Sequence, residues 1–243
     1  MTTLMFYKNP VAIDRVAHRD LRFKSLKDGY AYAASCNSIP LAAIEFPAAC
    51  HDYPIVFITD DQEGGVPVAL TGLRDNENLL VGADGKWDAA YIPVFVRRYP
   101  FVLQGNDDSS ELVVMIDEQA SGVGAEDGER LFAEDGKETP MLNEMLELLN
   151  QYRAYTQQSA TLVRHLRKLD LLIPREVKAV TSQGATFSMN GFSVVDEQRL
   201  MALSDGDLLG LARNGSLASI YAHLISISNI HNLMRRLEKR IAA

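Results

Sequence analysis

Sulfur and indole are scarce in this chain: two cysteines, Cys36 and Cys50, and one tryptophan, Trp87, stand among 243 residues. Two thiols in so long a chain make no disulfide framework, so a stapled secreted scaffold is excluded. Buried thiols in a reducing cytoplasm are expected, with a single Cys36–Cys50 bridge left open. Long apolar runs are missing too. The stretch from Asn214 to Met234 has no Lys, Arg, Asp or Glu, yet serines, asparagines and histidines interrupt it. A membrane span needs about 20 predominantly apolar residues, so this reads as a buried helix. The start, Met1 to Pro10, lacks a basic region, a sustained apolar core and a small-residue cleavage site, so no signal peptide and a cytoplasmic location are expected.

Positive charge is in deficit. Lys and Arg total 24 against 32 Asp and Glu, a net charge of −8. An acidic surface repels phosphate backbones, which disfavours general nucleic-acid binding. Recognisable catalytic signatures are missing as well: there is no phosphate-binding G-x-x-x-x-G-K-S/T, no G-x-G-x-x-G after a strand, no H-E-x-x-H, no G-x-S-x-G and no paired C-x-x-C. Active sites assembled from distant residues leave no such trace, so an enzyme is made less expected but is not excluded. No cofactor or metal is expected.

What is present is an ordinary globular composition, 47% hydrophobic and 23% charged, which argues against disorder. Tyr53–Thr59 is the clearest strand, β-branched and aromatic, and Val66–Thr71 returns beside it after Gly64-Gly65, with Pro67 at an edge or bulge. Tyr30–Ala33 and Asn78–Val81 are further strand candidates, and Leu112–Asp117 reads as a buried strand. Asp88 can cap a short helix through Val96. The Gly/Asp/Glu-rich stretch 118–138 is the best internal boundary, separating a strand-rich part (1–117) from a helical part (139–243) of one domain. Thr139 caps a helix with Pro140 in its first position, running to Asp170 and polar in the middle at Gln157-Gln158-Ser159. A small β-meander is predicted over 177–195, turning at Gln183-Gly184 and Asn190-Gly191. Helices then begin at Asp196, at Ser204 and at Ser216, the last running to about Arg240. Strands followed by helices argue α+β, with an antiparallel strand-rich N-terminal half and a helix-rich C-terminal half.

Two polar groupings invite chemistry. Between Gly72 and Phe101 the chain gathers its one tryptophan, three arginines and two tyrosines. Of these, Arg74, Trp87, Tyr91, Arg97 and Arg98, with Asn78, form a candidate pocket for an anionic or aromatic group, because a planar guanidinium suits carboxylates and phosphates and aromatic faces stack on it. The alternative is internal pairing with Asp75, Glu77 and Asp88 around a Trp87/Tyr91 core plug. The second grouping, Glu45, His51 and Asp52, could run acid–base chemistry or hold a divalent metal, but its spacing fits no metal motif, and satisfying backbone groups at a strand entrance is the simpler role. Ser216, Ser219, His223 and Ser226 make a small polar stripe better suited to close helix packing than to acyl transfer. Arg235, Arg236, Lys239 and Arg240 complement the last helix dipole.

An ordered set of segments resembles the SapC family of bacterial proteins. It comprises Pro40–Phe46, Tyr53–Phe57, Asn78-Leu79, Gly85–Asp88, Tyr91–Pro93, Arg97–Phe101, Leu131-Phe132, Gly191-Phe192, Gly215–Leu217 and Ala222–Leu224, with Leu200, Leu203 and Leu208. The likeness runs from about residue 35 to 235. The resemblance implies an accessory or binding role beside nutrient-uptake or flavin-dependent tailoring systems, since members are often encoded near such genes. It supplies no catalytic residues. The family's surface-layer namesake adds a structural role at the cell surface as an alternative. The peptide-uptake permease of the same name, which spans membranes, is a different protein. An unknown small molecule or protein is the expected partner, and the low-charge last helix leaves a homodimer open alongside a monomer core.

Overall fold

The computed structural model describes residues 4–24, 29–60, 64–105, 112–180 and 186–242. Its strands are β1 (Pro10–Ala12), β2 (Arg22–Phe23), β3 (Ser38–Pro40), β4 (Ile55–Thr59), β5 (Gly65–Leu70), β6 (Phe101–Gln104), β7 (Val113–Asp117), β8 (Glu129–Arg130), β9 (Leu172–Val180) and β10 (Thr186–Val195). Its helices are α1 (Phe46–Ala49), α2 (Val94–Arg97), α3 (Pro140–Lys168), α4 (Glu197–Met201), α5 (Asp205–Arg213), α6 (Ser216–Ser226) and α7 (Ile230–Ala242). The pairing is antiparallel throughout the described strands, so the α+β expectation holds.

A five-stranded sheet in the order β3-β5-β4-β10-β9 carries the fold. Side chains alternate across it with period two. Ile55, Phe57 and Ala69 face one way, into a core shared with Phe46, Val163 and Leu166. Val56, Val68 and Leu70 face the other way, onto Phe192, Leu233 and Leu237. A three-stranded sheet, β1-β7-β6, and the β2–β8 pair lie over a third cluster of Phe101, Ile116, Leu131 and Leu142. The 29 residues of α3 span about 43 Å and serve two of these cores, Leu142 and Leu149 in the third and Leu162, Val163 and Leu166 in the first. Its start follows the sequence: the Thr139 hydroxyl accepts from Leu142 N and Pro140 fills the first turn.

The stretch 118–138 is tied into the fold, because β8 within it pairs with β2. Pro67 lies in an inner strand, one residue past the last β3–β5 pair, Pro40↔Val68, so its missing N–H falls where that ladder ends.

Several local expectations change. Ala31–Ala33 is a 3₁₀ turn, not a strand. Asn78–Val81 is not a strand either, because side chains replace the ladder there. Fully buried Asn78 donates from Nδ2 to Ala33 O (3.1 Å), and its Oδ1 accepts from Leu80 N (2.9 Å). The helix after Asp88 is only the single turn α2, starting past Pro93. The predicted meander is one long hairpin, β9–β10. Asn190-Gly191 marks a bulge in β10, with a register shift between Met189 and Phe192 and Gly191 at φ 84°. The Gln183-Gly184 turn falls outside the described residues. The last helix is two helices, α6 and α7, joined by a 3₁₀ turn at Ile227–Asn229, and Gly215 rather than Ser216 occupies the cap.

The serine–histidine stripe fastens α6 to the sheet. Buried His223 accepts from Val195 N at Nε2 (3.0 Å), which leaves Nδ1 to donate to Ile55 O (2.8 Å). One neutral imidazole thus bridges β10 and β4, and burial pushes its pKa down to about 4. Ser226 Oγ accepts from Ile55 N (2.9 Å), and Asn229 Nδ2 donates to Cys50 O (2.7 Å). Both cysteines are free and buried.

Candidate functional site

Two groupings that are separate in sequence meet at Tyr91. Glu45 closes a 3₁₀ turn, Ala43–Glu45, and is 4% exposed. Its Oε2 accepts from Ala42 N (2.8 Å), and its Oε1 from Val94 N (2.8 Å) and the Tyr91 hydroxyl (2.8 Å). Burial raises the carboxyl's pKa above its ordinary value, opposed by those N–H donors. Asp52 Oδ2 accepts from Tyr91 N (2.8 Å). Trp87 Nε1 donates to the Tyr53 hydroxyl (2.8 Å), which donates in turn to Tyr91 O. Every polar atom of Tyr91 is thereby engaged with the Glu45 loop or the Tyr53 strand entrance. His51, by contrast, is exposed. Among the described residues, no group of three or more His, Cys, Asp or Glu is placed to hold a metal ion.

This network has a mechanical consequence. By accepting from Val94 N, Glu45 fixes the first turn of α2, and α2 carries Phe95 and leads directly into Arg98. Arg98 is 4% exposed, its guanidinium carbon 4.2 Å from the Phe95 ring centroid and 5.0 Å from that of Tyr152. The guanidinium thus lies against both rings, whose faces attract a cation. Beside it Tyr7 donates to Phe101 O (2.7 Å), and burial pushes the Tyr7 phenol up to about 12.

Arg98 opens onto a cleft of about 580 Å³ between α3 and the start of β5, within the range typical of small-molecule sites. Tyr152, Arg153, Thr156, Ser159 and Arg164 line it from α3. Gly65 lines the opposite wall, where a Cβ would lie 2.8 Å from Val163 Cγ1 and 2.9 Å from Ile58 O, so only glycine lets the strand pass so close to the helix. Ser159 anchors the floor by donating to Tyr155 O (2.6 Å) and accepting from Ala43 N (2.8 Å), which couples α3 to the Glu45 turn.

The remaining expected residues lie elsewhere. Arg97 is exposed, its Nε donating to Ile92 O (3.0 Å) and its guanidinium 6.0 Å from the Tyr91 ring centroid. Arg74 pairs with Glu77 and borders a second cavity, on the opposite face of the sheet. Asn78 and Trp87 are buried. The six residues therefore divide between two cavities, a buried network and the surface. Asp88 pairs with Arg236, while Arg240 donates to Asn78 O (2.8 Å) and Val81 O (3.0 Å), so cations of the last helix clamp the 78–88 loop.

Tyr152, Arg153 and Arg164 escape sequence reasoning. Their only trace there is the polar interruption near Gln157 between the two apolar stripes of α3.

The fold defines an α+β protein in which a long helix is laid against an antiparallel sheet, with a ligand-sized cavity on each face of that sheet. The chain belongs to the SapC family, whose model matches residues 13–233. No curated protein and no solved structure matches it. Among the described residues no helix is long and apolar enough to cross a membrane.

Proposed function

We propose that this SapC-family chain is a non-catalytic binding protein that holds an anionic small molecule in the cleft between α3 and β5. The observation that carries this reading is the gathering of guanidinium groups in one cleft, where Arg153 and Arg164 of α3 stand beside buried Arg98, itself against the rings of Phe95 and Tyr152. A guanidinium offers a planar fork for charge-assisted, bidentate bonds to carboxylate or phosphate. The described lining residues bring three guanidinium groups and several hydroxyls to the cleft, which suits recognition of an anion. A carrier of this kind would act as an accessory to an uptake or tailoring system by delivering or retaining its anionic compound.

Thermal melting of the full chain with benzoate, citrate and inorganic phosphate, against neutral benzamide, tests the reading. At least one anion is expected to raise the melting temperature, and the Arg153→Ala/Arg164→Ala variant is expected to lose that response. Equal responses to benzamide and benzoate, or none to any anion, would refute it.

A further inference from the structure

The arginine cleft has a length as well as a charge. Arg153 and Arg164 both line it, eleven positions apart on α3. That interval makes about three helical turns, so both residues stand on one side of the helix with their Cα atoms about 16 Å apart. Two contacts lay the cleft along the same axis. The Arg98 guanidinium lies by the ring of Tyr152, at the Arg153 end. Gly65 passes against Val163, at the Arg164 end. Arg164 is exposed, but its guanidinium has a fixed direction. Its Nη2 donates to Thr161 Oγ1 (2.9 Å), which folds the group back one turn toward the middle of the cleft.

The middle differs from the ends. Thr156 and Thr161 donate their hydroxyls to carbonyls of their own helix, Arg153 O (2.8 Å) and Gln157 O (3.1 Å). An anionic group is therefore better held by the guanidinium groups at the ends than by the hydroxyls between them. Across from α3 the lining carries accessible aliphatic side chains: Val66 of β5 is 50% exposed, and Leu103 of β6 and Leu112 are half-buried. Half-buried Ala160 adds a methyl group from the helix. A small oxyanion held at one end leaves this aliphatic stretch and the far guanidinium uncovered. A chain with an anion at each end meets all three.

We infer that the cleft takes one elongated dianion laid along α3, with an anionic group at Arg153, another at Arg164 and an aliphatic spacer against Val66 and Leu103. This rests on the anion-binding reading above and narrows it to a class of ligand, of which long-chain dicarboxylates are the simplest members.

Calorimetric titration of the full chain with decanedioate, decanoate and succinate tests the inference, since decanoate lacks the second anion and succinate lacks the length. Decanedioate is expected to fill one site per chain and to bind about tenfold more tightly than either of the others. Arg153→Ala and Arg164→Ala should each weaken decanedioate by about fivefold or more. Ile58→Lys, at the cavity on the opposite face of the sheet, should leave its affinity unchanged. Decanoate or succinate binding as tightly as decanedioate overturns the inference, as does a folded single-arginine variant that binds decanedioate as the parent does. Failure of all three carboxylates beside a response to benzoate, citrate or phosphate removes the elongated ligand alone, whereas failure of every anion removes the cleft reading with it. Should an arginine variant fail to fold, the order of affinities on the parent chain decides.

Discussion

The Tyr91 hydroxyl donates to Glu45 Oε1 at 2.8 Å, and this single bond joins two polar groupings across 46 positions of the chain. Its effect is positional. Glu45 also holds Val94 N, so the carboxylate sets the start of the helical turn that delivers Arg98 to its cleft.

Glu45→Ala is therefore expected to be costly, because it strands the N–H groups of Ala42 and Val94 in the interior. Each buried unpaired donor costs about 1–3 kcal/mol, so a total near 3 kcal/mol is expected. Tyr91→Phe should cost only about 1 kcal/mol, since Val94 keeps its acceptor. Urea unfolding followed by the fluorescence of Trp87, the one tryptophan, measures both; equal losses in the two variants would contradict the positional role.

His223 makes stability depend on pH. Its folded pKa is about 4, against an ordinary 6.5, so the unfolded chain takes up the proton first as pH falls. The contribution is complete above the ordinary value and is lost progressively on the way down to about 4, an interval worth about 3 kcal/mol. His223→Gln should lose stability near neutral pH and show a shallower decline below it. Parallel slopes for parent and variant between about pH 7 and about pH 4.5 would show that the imidazole is not responsible.

Gly65 and Gly191 should respond differently to alanine. At Gly65 the new methyl meets Val163 and the Ile58 carbonyl, and the backbone atom cannot yield, so about 1–3 kcal/mol of overpacking is expected. At Gly191 there is open space and only the positive φ resists, so about 1 kcal/mol is expected. Denaturant midpoints rank the two, and a larger loss at Gly191 would contradict the close approach of β5 to α3.

How much was legible beforehand follows from how local each signal is. The β4–β5 hairpin and α3 were readable because strand periodicity, Gly64-Gly65, Thr139 and Pro140 act within a few residues. Asn78–Val81 misled because its apolar pair resembles a strand, while the bonds that hold Asn78 reach back to Ala33. Asn190-Gly191 has the composition of a hairpin turn, but β9 continues past it and forces a bulge. Arg98 was visible as part of an arginine–aromatic cluster, yet its burial depends on Tyr152, 54 positions later. The cleft itself was invisible, because one wall belongs to α3 and the other to β5, and no local pattern encodes their meeting.

Calorimetric titration of the full chain with whichever of benzoate, citrate or phosphate most raises its melting temperature tests the anion cleft most directly, repeated with Arg153→Ala/Arg164→Ala and with Ile58→Lys. One saturable site is expected, weakened by about tenfold or more in the arginine variant and unchanged in the Ile58 variant. Heat of binding that is indifferent to the loss of both arginines would contradict it.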